Sequence, residues 1–133
     1  MLDVTFAAFL LMIGLFLATY FAFQTSSDVI GNIRMRHRMD DAMKIMNETD
    51  YLQTFSSTTI GNELAMLMPN NYDYNITIQG YSYDGSFSLE DTVELGSTIP
   101  DEKNIVSGRY YFVKIEDNEI SRYGLATYKV WLK

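Results

Sequence analysis

The first third of the chain shows two hydrophobic patterns in succession. The first of them, residues 4–23, reads VTFAAFLLMIGLFLATYFAF and contains no charged side chain. Twenty helical residues rise about 30 Å, which matches the hydrocarbon thickness of a bilayer. Helices in the core of a soluble domain seldom stay apolar on every face for that length. The pattern therefore predicts a helix that spans a membrane or is surrounded on all faces by other apolar groups.

Two other interpretations of residues 4–23 are a buried core helix of a soluble domain and a cleaved secretory signal. A secretory signal has a basic stretch ahead of a shorter apolar core. Here the only charged side chain ahead of the run is an acid, Asp3. Thr25-Ser26-Ser27 offers small residues for cleavage, but the helical pattern continues after them. Both interpretations fit the pattern less well than a spanning helix.

The second pattern, in residues 28–48, has a helical period. Five residues share one helix face: Met35, Met39, Ala42, Met43 and Met46. This Met face predicts packing against a core, with an adaptable binding surface as the alternative. The spacing also pairs Asp40 with Lys44. Because no proline interrupts residues 2–47, we predict one helix across both patterns, apolar all round in its first part and amphipathic in its second.

From residue 70 the period changes from helical to two. Apolar residues alternate with polar ones in two stretches, at Tyr72, Tyr74, Ile76 and Ile78 and at Phe87, Leu89, Val93 and Leu95. Two later stretches, RYYFVKI and YGLATYKVWLK, are rich in β-branched and aromatic residues and flank the turn Glu116-Asp117-Asn118-Glu119. Such short runs between turn signals predict antiparallel strands joined by hairpins.

The predicted fold class is therefore α+β, with a long N-terminal helix packed on a small antiparallel β-sheet or sandwich. Residues 1–48 form the helix, residues 49–69 a connector with a short second helix, and residues 70–133 the strand-rich domain. This last domain has 64 residues and no cysteine. A domain of that size buries only about 60% of its unfolded surface. We therefore expect the Met face, or neighbouring subunits, to cover the sheet.

Candidate chemistry is sparse. The chain has one histidine, His37, which stands among Arg34, Arg36 and Arg38, and it has no cysteine nucleophile, phosphate loop or metal-binding motif. We predict no catalytic residue, no metal and no cofactor, so the protein is not expected to be an enzyme. A net charge of −7 argues against a nucleic-acid partner, because the phosphate backbone attracts basic proteins. Two triplets match the N-glycosylation pattern, at Asn47 and at Asn75.

These features together resemble the type IV pilin superfamily. An acid at the extreme N-terminus leads an apolar helix in MLDVTFAAFLL, an amphipathic half follows, and a short strand-rich domain completes the chain. The absence of cysteine, the two glycosylation triplets and the strands rich in Tyr and Thr are similar to archaeal pilin-like subunits. The resemblance implies an extracellular filament built from identical subunits, with adhesion among the functions of such filaments.

In that family a dedicated leader peptidase trims a membrane-bound precursor, and assembly machinery then moves the subunits from the membrane into the filament on the cell surface. The resemblance implies that a basic leader is removed ahead of the helix. It also implies that the apolar helices pack together in the filament core. The residues predicted to lie there are Phe6, Phe9, Leu10, Ile13, Phe16 and Leu17.

The family's acid near the mature N-terminus pairs with the terminal amine of a neighbouring subunit, and Asp3 matches that acid in kind. The acid usually stands at the fifth mature position, so Asp3 is two places early. Either the mature N-terminus differs from Met1, or Asp3 has another role. An acid in the first helical turn also interacts favourably with the helix dipole.

A permanent single-pass membrane protein is the alternative function, as a subunit of a cell-surface, secretion or motility complex. The basic residues Arg34, Arg36 and Arg38 follow the apolar run. By the positive-inside rule, this end of the run would lie in the cytoplasm. A removed basic leader would offset that bias.

Overall fold

The computed structural model describes residues 2–101 and 104–133, apart from the side chains of residue 2 and of residues 24–28. The predicted ranges also include Met1, Glu102 and Lys103, which lie outside the described residues. The chain forms two compact units, Met1–Ile33 and Arg34–Lys133. A single helix, α1, runs from Leu2 to Glu48 and so contributes to both units.

The second part of α1 places the Met face in the core of the Arg34–Lys133 unit. Each of its five residues is at most 3% exposed. The prediction that this face packs against a core is confirmed. Methionine suits this position because its unbranched side chain fills irregular gaps between a helix and a twisted sheet.

The connector contains a short 3-10 turn, Leu52–Thr54, and a second helix, α2, from Ser57 to Leu67. The side chain of Ser56 caps α2, because its hydroxyl oxygen accepts a hydrogen bond from the Thr59 backbone N–H at 3.3 Å. The helix ends two residues before Pro69, which cannot continue a hydrogen-bonded helix. Ile60 and Leu64, on one face of α2, are fully buried.

Four strands form one antiparallel sheet in the order β2-β1-β4-β3. Their bounds are Tyr72–Tyr83 for β1, Phe87–Gly96 for β2, Val106–Glu116 for β3 and Glu119–Leu132 for β4. Asp117 and Asn118, which join β3 to β4, both have positive φ, as a two-residue hairpin turn requires. The α+β fold class is thus confirmed, and of the two alternatives the described strands form a sheet and not a sandwich.

One face of the sheet packs on the Met face and on α2 to form a single hydrophobic core. The sheet contributes these buried residues: Ile76, Ile78, Val93, Phe112, Ala126, Tyr128 and Val130. Gly124 makes room for the ring of Phe112, since a Cβ at Gly124 would lie 2.2 Å from that ring. The helix and the connector therefore complete a core that the strands alone leave open.

A β-bulge overturns the predicted facing of β2. The alternation placed Phe87 and Leu89 on the same face as Val93, but the pairing with β1 shifts by one residue between Gly80 and Tyr81. A one-residue shift sends every side chain beyond it to the opposite face. Val93 is therefore buried, whereas Phe87 is 63% exposed and Leu89 is 52% exposed.

The buried Tyr128 hydroxyl donates a hydrogen bond to Oδ1 of Asp40, at 2.5 Å, and so ties β4 to α1. Asp40 also lies 3.9 Å from the Arg36 guanidinium, so its partners are Arg36 and Tyr128 and not the predicted Lys44. Burial raises the pKa of Tyr128 above its ordinary value, and the hydrogen bond to Asp40 adds to the effect. Both causes favour the neutral hydroxyl in the folded protein.

We expect Tyr128→Phe to lower the free energy of unfolding by about 1–2 kcal/mol at neutral pH, because it removes a hydrogen bond to a half-exposed carboxylate. Since the folded state holds the Tyr128 proton more tightly, this stabilisation is fully present below pH 10.0, the ordinary pKa, and declines as the pH rises beyond it. Urea denaturation at pH 7 and above pH 10 measures both effects. Tyr111→Phe, at a 69% exposed position, is the matched control. A loss no larger than that of the control would contradict the role of the bond.

Candidate functional site

The candidate functional site is the apolar segment, Asp3–Phe23, at the start of α1. Every side chain in it is exposed, and its mean hydropathy is 2.2. The six residues predicted for a filament core range from 42% exposure at Ile13 to 74% at Phe16. The structure thus places all six on an uncovered helix, and their spacing of i, i+3, i+4, i+7, i+10 and i+11 puts them on one face of it.

The exposure of these side chains helps to decide which kind of helix the apolar segment is. A core helix of a soluble domain can be as long and as apolar as this segment, but it is mostly buried. None of this segment is buried by its own chain. An N-terminal signal sequence can also be apolar over such a length, so length and composition alone are weak evidence for a membrane span. Leaving so much apolar surface in water is unfavourable by about 25 cal/mol per Å². The segment therefore needs lipid or other protein chains around it.

The polar groups of the apolar segment include a hydroxyl that is satisfied within the helix. Thr19 Oγ1 donates to the Leu15 carbonyl at 2.8 Å. Such a bond to the preceding turn removes the need for water or for an external partner. Asp3 is the one charged side chain of the segment and lies exposed in the first turn of α1. There it is open to a partner from outside the chain.

The two predicted glycosylation residues have different surroundings. Asn47 is half-buried, and its amide nitrogen donates to the Tyr110 hydroxyl at 3.3 Å while its amide oxygen accepts from Gln53 at 2.7 Å. Asn75 lies on the sheet face away from the core, where its amide nitrogen donates to the Ser97 carbonyl at 3.1 Å. A glycan on Asn47 would displace contacts that join α1 to the sheet, whereas one on Asn75 would displace a single exposed bond.

Metal and catalytic sites were not predicted, and the described residues contain no group of three or more His, Cys, Asp and Glu side chains that could hold a metal. His37 is exposed on α1, between Arg36 and Arg38. A cavity of about 570 Å³ lies beside Asp50, Gln53 and Lys114. The Gln53 side-chain oxygen is buried and accepts no hydrogen bond from the residues that the structure describes.

The sequence did not predict an exposed aromatic cluster at the end of the sheet. The ring of Phe87 lies 4.9 Å from that of Tyr83 and 5.4 Å from that of Tyr123, between ring centroids. Period-two alternation placed Phe87 on the same face as Val93. The bulge that exposes Phe87 leaves Glu90 of β2 without a partner in β1, and the alternation of β2 gives no sign of it.

No family model matches the chain, and neither does any curated protein or solved structure.

Proposed function

We propose that the protein is a structural subunit of an extracellular type IV pilus-like filament. In this proposal the apolar segment holds the precursor in the membrane. After a leader peptidase and the assembly machinery have acted, the segment packs against the same segment of identical subunits. The Arg34–Lys133 unit is then displayed on the cell surface as part of the filament.

The observation that carries this proposal is the contrast between the two parts of α1. In the Arg34–Lys133 unit the Met face is almost fully buried by the protein's own sheet and connector. In the apolar segment every side chain is exposed. A helix that is apolar on all faces suits lipid first and a bundle of identical helices afterwards, because both surround it completely. The bond between Thr19 and Leu15 is compatible with either environment.

A permanent single-pass membrane protein is the second candidate, as a component of a surface, secretion or motility complex. The observation that favours it is the position of Arg34, Arg36 and Arg38 after the apolar segment, all three exposed. Positive charge at that end is typical of the cytoplasmic side of a span. In this case the apolar segment would stay in lipid.

Electron microscopy of material sheared from the cell surface, with mass spectrometry of its subunits, distinguishes the two functions. The filament proposal requires thin filaments that contain this chain. N-terminal sequencing of the chain from the same material gives the mature N-terminus and tests the removal of a leader. Recovery of the chain from membranes alone, unprocessed, would favour the single-pass protein.

Asp3 has a separate test. We expect Asp3→Ala to leave the protein folded and membrane-bound but to reduce filament yield, and Asp3→Glu to preserve most of the yield. The reason is that a carboxylate in an apolar helix bundle stabilises a cation nearby, such as the terminal amine of the next subunit, and unpaired charges there cost several kcal/mol. Quantitative immunoblots of sheared and membrane fractions measure the two pools.

Asp3→Asn is the decisive control for this prediction. Asp3 lies inside the first turn of α1, where an asparagine side chain can still accept a hydrogen bond from a free backbone N–H but carries no charge. If Asp3 acts only at the helix start, which is worth about 1 kcal/mol, the asparagine variant assembles normally. If its charge pairs with a neighbour, the asparagine variant is as defective as Asp3→Ala.

A further inference from the structure

Both hairpin turns of the sheet lie at one end of the Arg34–Lys133 unit. Tyr81 pairs with Tyr123, and Tyr123 pairs with Val113, so the β1–β2 and β3–β4 turns project side by side. We define the hairpin end as residues 81–91 and 113–123. It carries six acidic side chains and two basic ones. Lys114 and Arg122, the two basic ones, already form ion pairs within the hairpin end.

The hairpin end is also apolar. Its large exposed side chains are Tyr83, Phe87, Leu89, Val113, Ile115 and Ile120, each between 39% and 63% exposed. An exposed apolar cluster with a polar rim is typical of a protein interaction site. The rim here is acidic, so a partner surface with positive charge would fit it best.

The same unit carries a matching basic surface. We define the basic stretch as residues 34–38 of α1, RMRHR, which contains three arginines, one histidine and no acid. Arg34 and Arg38 are exposed and form no ion pair among the side chains that the structure describes. Met35 alone in this stretch is buried.

The hairpin end and the basic stretch lie at opposite ends of the unit. Asp40 contacts Tyr128, which is paired with Gly108 of β3. Farther along α1, Asn47 contacts Tyr110 of β3, and the 3-10 turn after it reaches Val113 through Gln53. Movement along α1 from residue 40 therefore leads toward the hairpin turns. The basic stretch lies in the other direction, with its first residue about 20 Å along the helix from Asn47.

We infer that the hairpin end of one copy docks on the basic stretch of the next copy, in a head-to-tail contact. This inference rests on the proposed filament function and names the contact that would join the folded units along the filament. Opposite charges at opposite ends favour this arrangement over a symmetric dimer, because two hairpin ends would repel each other. A head-to-tail contact whose rotation does not close into a ring repeats along an open helix and so produces a filament.

Cross-linking of the full-length chain in cells tests the contact. The chain has no cysteine, so any cross-link between two copies must join the introduced thiols. We expect the double variant His37→Cys/Ile120→Cys, treated with a short bifunctional maleimide, to give a ladder of trimers and larger species on denaturing gels. Each single variant links at most two copies. The matched control is His37→Cys/Met66→Cys, since Met66 is exposed and lies outside the hairpin end.

Charge reversal provides a second measurement on the same double-cysteine background. Arg38→Glu should reduce the ladder about tenfold, because it places like charges together at the contact. Adding Glu119→Lys should restore much of it. Raised salt should also reduce the ladder, as it does for contacts between exposed charges.

The outcomes separate this inference from the filament proposal. Filaments without a ladder, a ladder equal to that of the Met66 control, or dimers alone would overturn the contact and leave the filament function standing. A ladder in cells that form no filament would support the contact and overturn the filament function. A ladder that is unchanged by Arg38→Glu would show that opposite charge does not hold the copies together and would overturn the inference.

Discussion

Phe16→Arg is expected to abolish filament formation or membrane insertion while leaving the Arg34–Lys133 unit folded. The guanidinium would enter lipid before assembly and an apolar helix bundle after it, and insertion of an arginine at the centre of a span costs about 2.5–3.5 kcal/mol. Leu11→Arg should act in the same way. The measurements are the amount of chain in the membrane fraction and the number of filaments seen by electron microscopy.

Met66→Arg is the matched control, because Phe16 and Met66 are each 74% exposed in the isolated chain. Met66 lies on α2, in the folded unit. If exposure in the single chain meant contact with water in the working protein, both arginines would be tolerated equally. Normal filaments from the Phe16 or the Leu11 variant would contradict the function proposed for the apolar segment.

Residues 70–133 expressed alone are expected to be unfolded or only weakly folded, whereas residues 34–133 should unfold in one cooperative transition. The shorter fragment loses the partners of the sheet's inner face, which are Met39, Met43, Met46, Leu52, Ile60 and Leu64, all fully buried. At about 1.5–3 kcal/mol for each buried apolar side chain, this loss is comparable to or larger than the whole stability of a typical domain. Urea denaturation followed by circular dichroism and by the fluorescence of Trp131 measures the difference.

A point substitution tests the same packing with less disruption. We expect Met39→Ala to lower the free energy of unfolding of residues 34–133 by about 2–5 kcal/mol, because it leaves a cavity at a position that is 0% exposed. Met66→Ala, at an exposed position, should change it little. A cooperative fragment 70–133 as stable as the longer one would show that the sheet does not depend on α1 and the connector.

The Asp3–Phe23 segment and the Met face could be predicted because their signals are local. A run without charge is visible in the residues themselves, and the recurrence of methionine every three or four residues follows directly from helical geometry. The alternation in β1 identified Ile76 and Ile78 as core residues for the same reason, and both are fully buried. The chemistry of the candidate site was predictable to the same extent, since the acid at position 3 and the apolar residues after it are properties of composition.

The partners of individual side chains depended on the tertiary structure. The spacing along the helix predicted Lys44 as the partner of Asp40, but β4 brings the Tyr128 hydroxyl within hydrogen-bond distance of Asp40. Tyr128 is 88 positions away from Asp40 in the chain. The face of Phe87 depended on a bulge between β1 and β2, because the register of one strand is set by its neighbour and not by its own alternation. The sequence by itself thus determined which segments are helical, extended or apolar on every face. Two features were decided only when the strands paired and α1 packed across them. One is which end of the sheet carries exposed aromatic rings, and the other is that this end lies opposite the basic stretch.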